Sequence, residues 1–289
     1  MLVIDCVRFD DAAVFARHAG PFLAGNALEN NVVLGLVRGL EESPQPGALL
    51  LTVDRDNRPC LAAVMTPPFK LLLSAGDTAA MPRLVAGVIE AGAPVSGMLG
   101  LDDMADAFAE AWRAATGGTA TPATAMTLYA TREAVVPDGV PGTIRVAEAA
   151  DAQWVADAYA AFYDEIEAEE HERRVARATA AAMLKRGLVY LWEDAGAPVS
   201  MVCFRYVTKE GARIAPVWTP PALRGRRYAS AAVGRLTGEL LHAGVDWCAL
   251  FADVDNPTSN NIYRRLGYNE ACGYRVYDLE PAAAGQAEA

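Results

Sequence analysis

Residues 223–230 read LRGRRYAS and place three arginines and one glycine just ahead of an Ala- and Leu-rich run with helical spacing. The first turn of a helix leaves backbone N–H groups unpaired and carries about half a positive charge, so anions bind there. Guanidinium groups add charge-assisted contacts with phosphate oxygens. The stretch therefore predicts a site for a phosphorylated ligand. On these residues alone, three solvated surface arginines are an equally good interpretation.

Composition limits what the rest of the surface can bind. The chain has 25 Lys and Arg against 36 Asp and Glu, a net charge of −11, which disfavours nucleic acid and anionic lipid as partners. The five cysteines are scattered in apolar stretches and the three histidines show no metal-ligand spacing, so we expect free buried thiols and no metal site. No secretory signal or long apolar run is evident, which predicts a soluble, cytoplasmic protein.

The length of 289 residues favours two domains. The stretch 131–143, TREAVVPDGVPGT, holds two prolines and two glycines and suits a linker. We therefore expect an N-terminal α/β domain at 1–130, the linker at 131–143, a second domain at 144–280 and a flexible tail at 281–289.

The C-terminal half predicts the order β-α-α-β-β-β-α-β-α-β, a mixed sheet flanked by helices, and thus an α/β fold. Its helical pattern over 150–187 breaks near 167–170. The predicted strands cover 143–148, 188–207 (a hairpin), 211–218, 247–254 and 273–279, and the later helices cover 228–242 and 258–267.

The N-terminal half contains a fainter version of the same hairpin. Residues 51–65 align with 190–204, with the turn at Asp56 and Asn57 over Ala195 and Gly196. One matched hairpin is weak evidence for a duplicated fold, and chance similarity remains an alternative. Helices are predicted at 10–19, 26–42, 78–91 and 102–115.

The stretch LRGRRYAS after VWTPP, together with DVDNPTSNNIYRRLGY further along, resembles the GNAT superfamily of acyl-CoA-dependent N-acyltransferases. The resemblance covers about residues 144–280. It implies the GNAT fold for this half, acetyl-CoA as acyl donor and no metal. The N-terminal half, which lacks the arginine-glycine stretch, is then expected to be a second, degenerate GNAT-like domain.

The family's pyrophosphate loop, Arg/Gln-x-x-Gly-x-Gly/Ala, falls on residues 224–229, with Arg227 in place of the usual glycine. We expect Arg227 to have a helix-like φ below zero and to contact phosphate through its side chain. The resemblance also implies that Val217 and Thr219 pair with the pantetheine arm and polarise the thioester carbonyl, while Trp218 is more typical of a core residue than of a substrate wall. The implied cofactor-binding residues are Val217, Thr219, Arg224, Gly225, Arg226, Arg227, Tyr228, Ala229, Asn256 and Ser259.

Tyr263 stands where many GNAT enzymes carry the tyrosine that protonates the departing thiolate. A phenol of pKa near 10 is protonated at neutral pH and can act as this acid, although a buried structural aromatic is the alternative. Asn256, Ser259 and Asn260 are candidates for binding the pantetheine amides, and Thr258 and Ser259 are also expected to cap the helix.

The resemblance implies an N-acetyltransferase that passes an acetyl group directly from acetyl-CoA to a primary amine of a small-molecule or peptide acceptor. Within the acidic run 163–172, Glu165, Glu167 or Glu170 could attract such a cation, but a solvated helix junction explains the run as well. The general base is not assigned. A CoA-binding sensor or interaction module without turnover is the alternative function.

Overall fold

The computed structural model describes residues 4–282, which form two compact units. Among the described residues, the first unit comprises 4–127, Asp253–Asp255 and 272–282, and the second comprises Leu128–Ala252 and Asn256–Ala271. These bounds differ from those expected from the sequence in three places. Residues 128–143 belong to the second unit, and both Asp253–Asp255 and the chain from Cys272 belong to the first. Residues 283–289, most of the expected tail, lie outside the described part of the chain.

The first unit is a mixed sheet covered by helices. Its neighbouring strands follow the order β1 (Ile4–Phe9), β2 (Leu49–Arg55), β3 (Arg58–Met65), β4 (Leu71–Leu73) and β5 (Gly97–Leu101), then the part of β12 (Asn269–Glu280) from Cys272. Strands β4 and β5 run parallel, and the other pairs run antiparallel. The helices are α1 (Ala12–Ala24), α2 (Asn31–Glu42), α3 (Met81–Glu90) and α4 (Asp102–Thr116).

Both faces of this sheet are buried, as the run of apolar residues in β2 requires. Successive strand residues point to opposite faces, so Leu49, Leu51 and Val53 pack with α3 and α4, while Leu50 packs with α1 and α2. This two-sided burial explains why the strand pattern is continuously hydrophobic rather than alternating.

The second unit is also a mixed sheet with helices. It contains β6 (Thr119–Thr131) from Leu128 onward. The other elements are β7 (Thr143–Val146), α5 (Ala152–Glu165), α6 (Glu170–Lys185), β8 (Val189–Asp194), β9 (Ala197–Tyr206), β10 (Gly211–Trp218), α7 (Tyr228–His242), β11 (Trp247–Asp253) and α8 (Pro257–Arg265). The strands neighbour one another in the order β6-β11-β10-β9-β8-β7. Helix α5 packs on α6 and on β10, and α7 packs on β8, β9 and β10.

The α/β class and the order of elements in the C-terminal half are confirmed. The two hairpins have the same turn: Asp56 and Asn57 in the first and Ala195 and Gly196 in the second all have positive φ. Such two-residue loops match the twist of the flanking strands. Strands β1, β4, β5 and β6 were not among the predicted elements.

Candidate active site

The site predicted from the sequence begins where β10 stops pairing with β11. The two strands run parallel, and their register pairs Gly211 with Trp247 and Arg213 with Ala249 but goes no further among the described residues. Beyond Arg213 the β10 strand has a bulge between Ile214 and Val217 against β9, and Pro216 lacks a backbone N–H. The main chain of β10 from Ile214 onward is therefore open toward β11, as the resemblance implies for the strand that carries Val217.

The loop after β10 alternates the sign of φ as it enters α7. Gly225 has φ +78° and Arg227 has φ +65°, whereas Arg226 is outside the positive region. The expectation that Arg227 has a φ below zero is therefore wrong. The left-handed conformation is costly for a residue with a Cβ, which is the physical reason for the glycine usual at this position.

The start of α7 has backbone donors without a helical acceptor. The first intrahelical bond runs from Ala231 N–H to the Arg227 carbonyl, so the N–H groups of Tyr228, Ala229 and Ser230 have no acceptor within the helix. No side chain of the described residues caps this end. A Cβ placed on Gly225 would meet nothing within 4 Å, so the space beside the loop is open. Uncapped donors beside open space fit an anionic group such as a diphosphate.

Arg224 is held in an ion pair. Its Nη2 lies 2.6 Å from both carboxylate oxygens of Glu165, at the end of α5, and its Nε donates to the Thr219 carbonyl at 3.0 Å. The Trp218 indole N–H donates to the same Glu165 carboxylate at 3.0 Å. By contrast, Arg226 and Arg227 are exposed and make no ion pair with any described residue.

Several side chains of the loop point into the protein instead of toward a ligand. Tyr228 is 3% exposed and its hydroxyl donates to Asp194 Oδ2 at 2.5 Å, so only its backbone N–H remains for the site. The Thr219 hydroxyl lies 2.8 Å from Ser200 Oγ, which also donates to the Trp218 carbonyl. Val217 is registered opposite Val202 of β9.

Tyr263 lies on α8, the helix that follows β11. Its ring packs between Tyr129 and Tyr268, each with a centroid 6.2 Å away, and its hydroxyl makes no hydrogen bond to another described residue. Burial raises the pKa of Tyr263 to about 12, so the hydroxyl keeps its proton at neutral pH. The group is thus able to donate a proton, although the packing also suits a structural aromatic.

The cap of α8 differs from the one expected. Asn256, and not Thr258 or Ser259, caps the helix, because Asn256 Oδ1 accepts from the Ser259 N–H at 3.0 Å. Asn260 is buried, and its Oδ1 accepts the Tyr129 hydroxyl at 2.9 Å. The Asn256 cap fixes the start of α8, and Tyr263 lies on the following turn.

The acidic run is divided by the break between α5 and α6 that the sequence predicts. Glu165 ends α5 and bonds Arg224, Glu167 has φ +50°, and Glu170 is the first residue of α6. In the part of the chain that the structure describes, no group of three His, Cys, Asp or Glu residues is gathered for a metal ion. Within residues 4–282, no helix is long and apolar enough to cross a bilayer.

Two aromatic residues at this site are not evident from the sequence. Trp154 packs against Trp218 edge-on, with ring centroids 6.2 Å apart, and Tyr129 packs on Tyr263. Both lie far from their partners in the chain, and an isolated aromatic in a helix or strand pattern gives no signal of such a contact.

The comparisons with known proteins agree with this geometry. The family model described as Acetyltransferase (GNAT) family matches residues 152–268. Similar solved structures include a GCN5-related N-acetyltransferase from Sphaerobacter thermophilus, with a TM-score of 0.65, 16% identity and 98% and 96% of the two chains covered. A GNAT-family acetyltransferase from Colwellia psychrerythraea has a TM-score of 0.60 at 11% identity, covering 96% and 99%.

A third structure is a tandem GNAT protein from the clavulanic acid biosynthesis pathway, with a TM-score of 0.60 at 13% identity, covering 98% of this chain and 100% of the other. No curated protein matches the sequence. At these identities the structural matches establish the fold of nearly the whole chain. The resemblance to GNAT acetyltransferases is confirmed: residues 152–268 form a GNAT-family domain in a chain with the fold of tandem GNAT proteins.

Proposed function

We propose that the second unit is an acetyl-CoA-dependent N-acetyltransferase that acts on a primary amine. The observation that carries the proposal is the uncapped start of α7, where the N–H groups of Tyr228, Ala229 and Ser230 have no acceptor in the helix and come one loop after the open end of β10. Gly225 lets the diphosphate approach the main chain, and Arg226 and Arg227 supply charge. Val217 and Thr219 would hold the pantetheine arm through their backbone, with the Asn256 and Ser259 side chains beside it.

Bound acetyl-CoA would supply an activated thioester. In the proposed reaction a neutral amine forms a C–N bond to the acetyl carbon while the C–S bond breaks. Tyr263 would donate its proton to the sulfur, and the proton released from the nitrogen would reach the tyrosinate through solvent and restore the phenol. Orientation of the two reactants is worth up to about 7–11 kcal/mol, and a positioned acid adds about 10²–10⁴-fold. The acceptor is a small-molecule or peptide amine.

The test measures free thiol released from acetyl-CoA in the presence of a panel of primary amines. S-acetylpantetheine, which has the thioester and no diphosphate, is the matched control substrate. We expect release with acetyl-CoA, and a KM for S-acetylpantetheine at least about tenfold higher, because a charge-assisted hydrogen bond contributes about 1.5–3 kcal/mol. Binding of CoA without any release would indicate the sensor function, and no binding at all would contradict the proposal.

A further inference from the structure

The ion pair between Arg224 and Glu165 involves a residue that the proposed diphosphate site needs. Both oxygens of Glu165 lie 2.6 Å from one guanidinium nitrogen, with 48% of the Arg224 side chain and 41% of the Glu165 side chain exposed. A carboxylate at this distance competes with a phosphate for the same donors, and its charge repels a phosphate nearby. The pair therefore opposes anion binding at the first position of the loop.

Glu165 also lies against an aromatic pair. The Trp218 indole N–H donates to its carboxylate at 3.0 Å, and the Trp154 ring packs on Trp218 at an interplanar angle of 62°. A carboxylate beside tryptophan rings is a combination that attracts ammonium groups through charge and through cation–π contact. Arg224 now supplies the positive charge there.

We propose that Glu165 exchanges partners during the reaction, an inference that depends on the proposed function. The diphosphate draws Arg224 away, and the freed carboxylate, with Trp218 beside it, then receives the ammonium group of the acceptor. Glu165 is thus a binding residue for a primary alkylammonium substrate, and acyl donor and acceptor each strengthen the binding of the other. The coupling is reciprocal, because each ligand removes the group that competes with the other.

The experiment compares wild type with Glu165→Gln and the control Glu167→Gln, which makes the same charge change at a neighbouring residue without contact to Arg224. Isothermal titration measures the Kd of CoA and of n-butylammonium, the latter with and without CoA. Circular dichroism and Tm confirm that each variant is folded, and Glu165→Asp, which keeps the charge on a shorter side chain, gives a second test.

For Glu165→Gln we expect the Kd of CoA to fall about fivefold, with less than a twofold change in Glu167→Gln and a smaller gain in Glu165→Asp. In wild type, CoA should strengthen n-butylammonium binding by a similar factor, and Glu165→Gln should abolish this effect. Unchanged or weaker CoA binding in Glu165→Gln, or amine binding that CoA does not change, would overturn the inference. A wild type that does not bind CoA at all would instead overturn the proposed function.

Discussion

In each unit, one strand that pairs in parallel with its neighbour is followed by a loop and then a helix. The two loops differ in the groups that their backbone N–H groups contact. In the second unit the donors at Tyr228, Ala229 and Ser230 have no acceptor in the helix and no cap. In the first unit, residues 74–80 join β4 to α3, and most of their N–H groups are bonded within the same unit.

These bonds close the first loop. The Ser74 and Asp77 N–H groups donate to the carbonyls of Ala62 and Cys60 at 2.9 Å, and the Ala75 N–H donates to Asn30 Oδ1 at 2.8 Å. Gly76 lies so close to β3 that a Cβ there would come within 2.4 Å of the Cys60 carbonyl oxygen. The loop thus packs directly on β3 at Gly76, unlike the open side of Gly225.

The two loops also differ in the charge of their side chains. Asp77 occupies the first one, where its carboxylate caps the Ala79 N–H at 2.9 Å and pairs with Arg55 at 2.6 Å, whereas the second loop has three arginines. A carboxylate satisfies a helix start in the way that a phosphate would. The comparison teaches that the first loop satisfies its own donors through a 3-10 turn, Thr78–Ala80, which Asp77 caps directly before α3. The donors at the start of α7 have no such partner, and we propose that they bind the diphosphate.

The two units also differ in the helices α8 and α4, which follow β11 and β5. A substitution in α8 is expected to have the largest effect on activity. Tyr263 is the seventh residue of α8, counted from Pro257, and Phe108 is the seventh of α4, counted from Asp102, where it is fully buried and stacks on Trp112. Tyr263→Phe makes the second unit resemble the first. Steady-state kinetics at saturating acetyl-CoA should show kcat about 100-fold lower, because the proton donor is lost.

Tyr129→Phe is the matched control, since this neighbouring tyrosine uses its hydroxyl to bond Asn260 at 2.9 Å. It should lower the free energy of unfolding slightly, as the loss of one hydrogen bond does, and leave kcat within about twofold of wild type. An unchanged kcat in Tyr263→Phe would remove Tyr263 from the mechanism.

The second prediction concerns a variant with a carboxylate in the second loop, where the first loop has Asp77. In Arg226→Asp the Kd of CoA should rise about tenfold or more, because an attractive charge becomes a repulsive one beside the diphosphate. Arg235→Asp makes the same charge change two turns into α7 and serves as the control in calorimetry. Equal weakening in both variants would show that net charge, and not the loop, determines binding.

The third prediction concerns the Asp77 cap of the first loop. Asp77→Ala removes the cap and should lower the free energy of unfolding by about 1 kcal/mol in urea titrations, and it should not create a second CoA site. Asp77→Asn, which can still accept from Ala79, should lose less.

The effect of Asp77 should depend on pH. The Ala79 N–H and then the Arg55 guanidinium lower the pKa of the Asp77 carboxyl, so its contribution to stability is present above the ordinary carboxyl pKa and is lost as the pH falls through the lowered value. The difference between wild type and Asp77→Ala should therefore shrink below about pH 4. A difference that grows on acidification would contradict this account of the loop.

The smallest effect concerns the strained residue of the second loop. Arg227→Gly should raise the free energy of unfolding by about 0.5–1 kcal/mol, because glycine adopts φ +65° without the Cβ clash. Arg226→Gly, at a residue without positive φ, should instead lower stability by a few tenths of a kcal/mol. Thermal unfolding checks both, and a lower Tm in Arg227→Gly would show that its side chain stabilises the loop.

The sequence predicts much of this comparison, since hairpins with turn residues and helices with apolar faces depend on local patterns. Helix α7 spans Tyr228–His242, as its spacing predicts. The sign of φ at Arg227 was missed because an arginine by itself gives no indication of a left-handed backbone; the glycine usual at this position in the family was the signal that could have shown it. Partners distant in the chain were also missed: the Glu165–Arg224 ion pair, the Tyr228–Asp194 bond and the closure of the first loop by Asn30 all depend on tertiary packing.

Hydrogen–deuterium exchange with and without CoA tests the central claim most directly, because it reports the same backbone N–H groups in both loops. We predict that CoA slows exchange at residues 225–230 and leaves residues 74–81 unchanged. Slowed exchange at 74–81, or none at 225–230 when CoA is bound, would contradict the assignment of the cofactor to the start of α7.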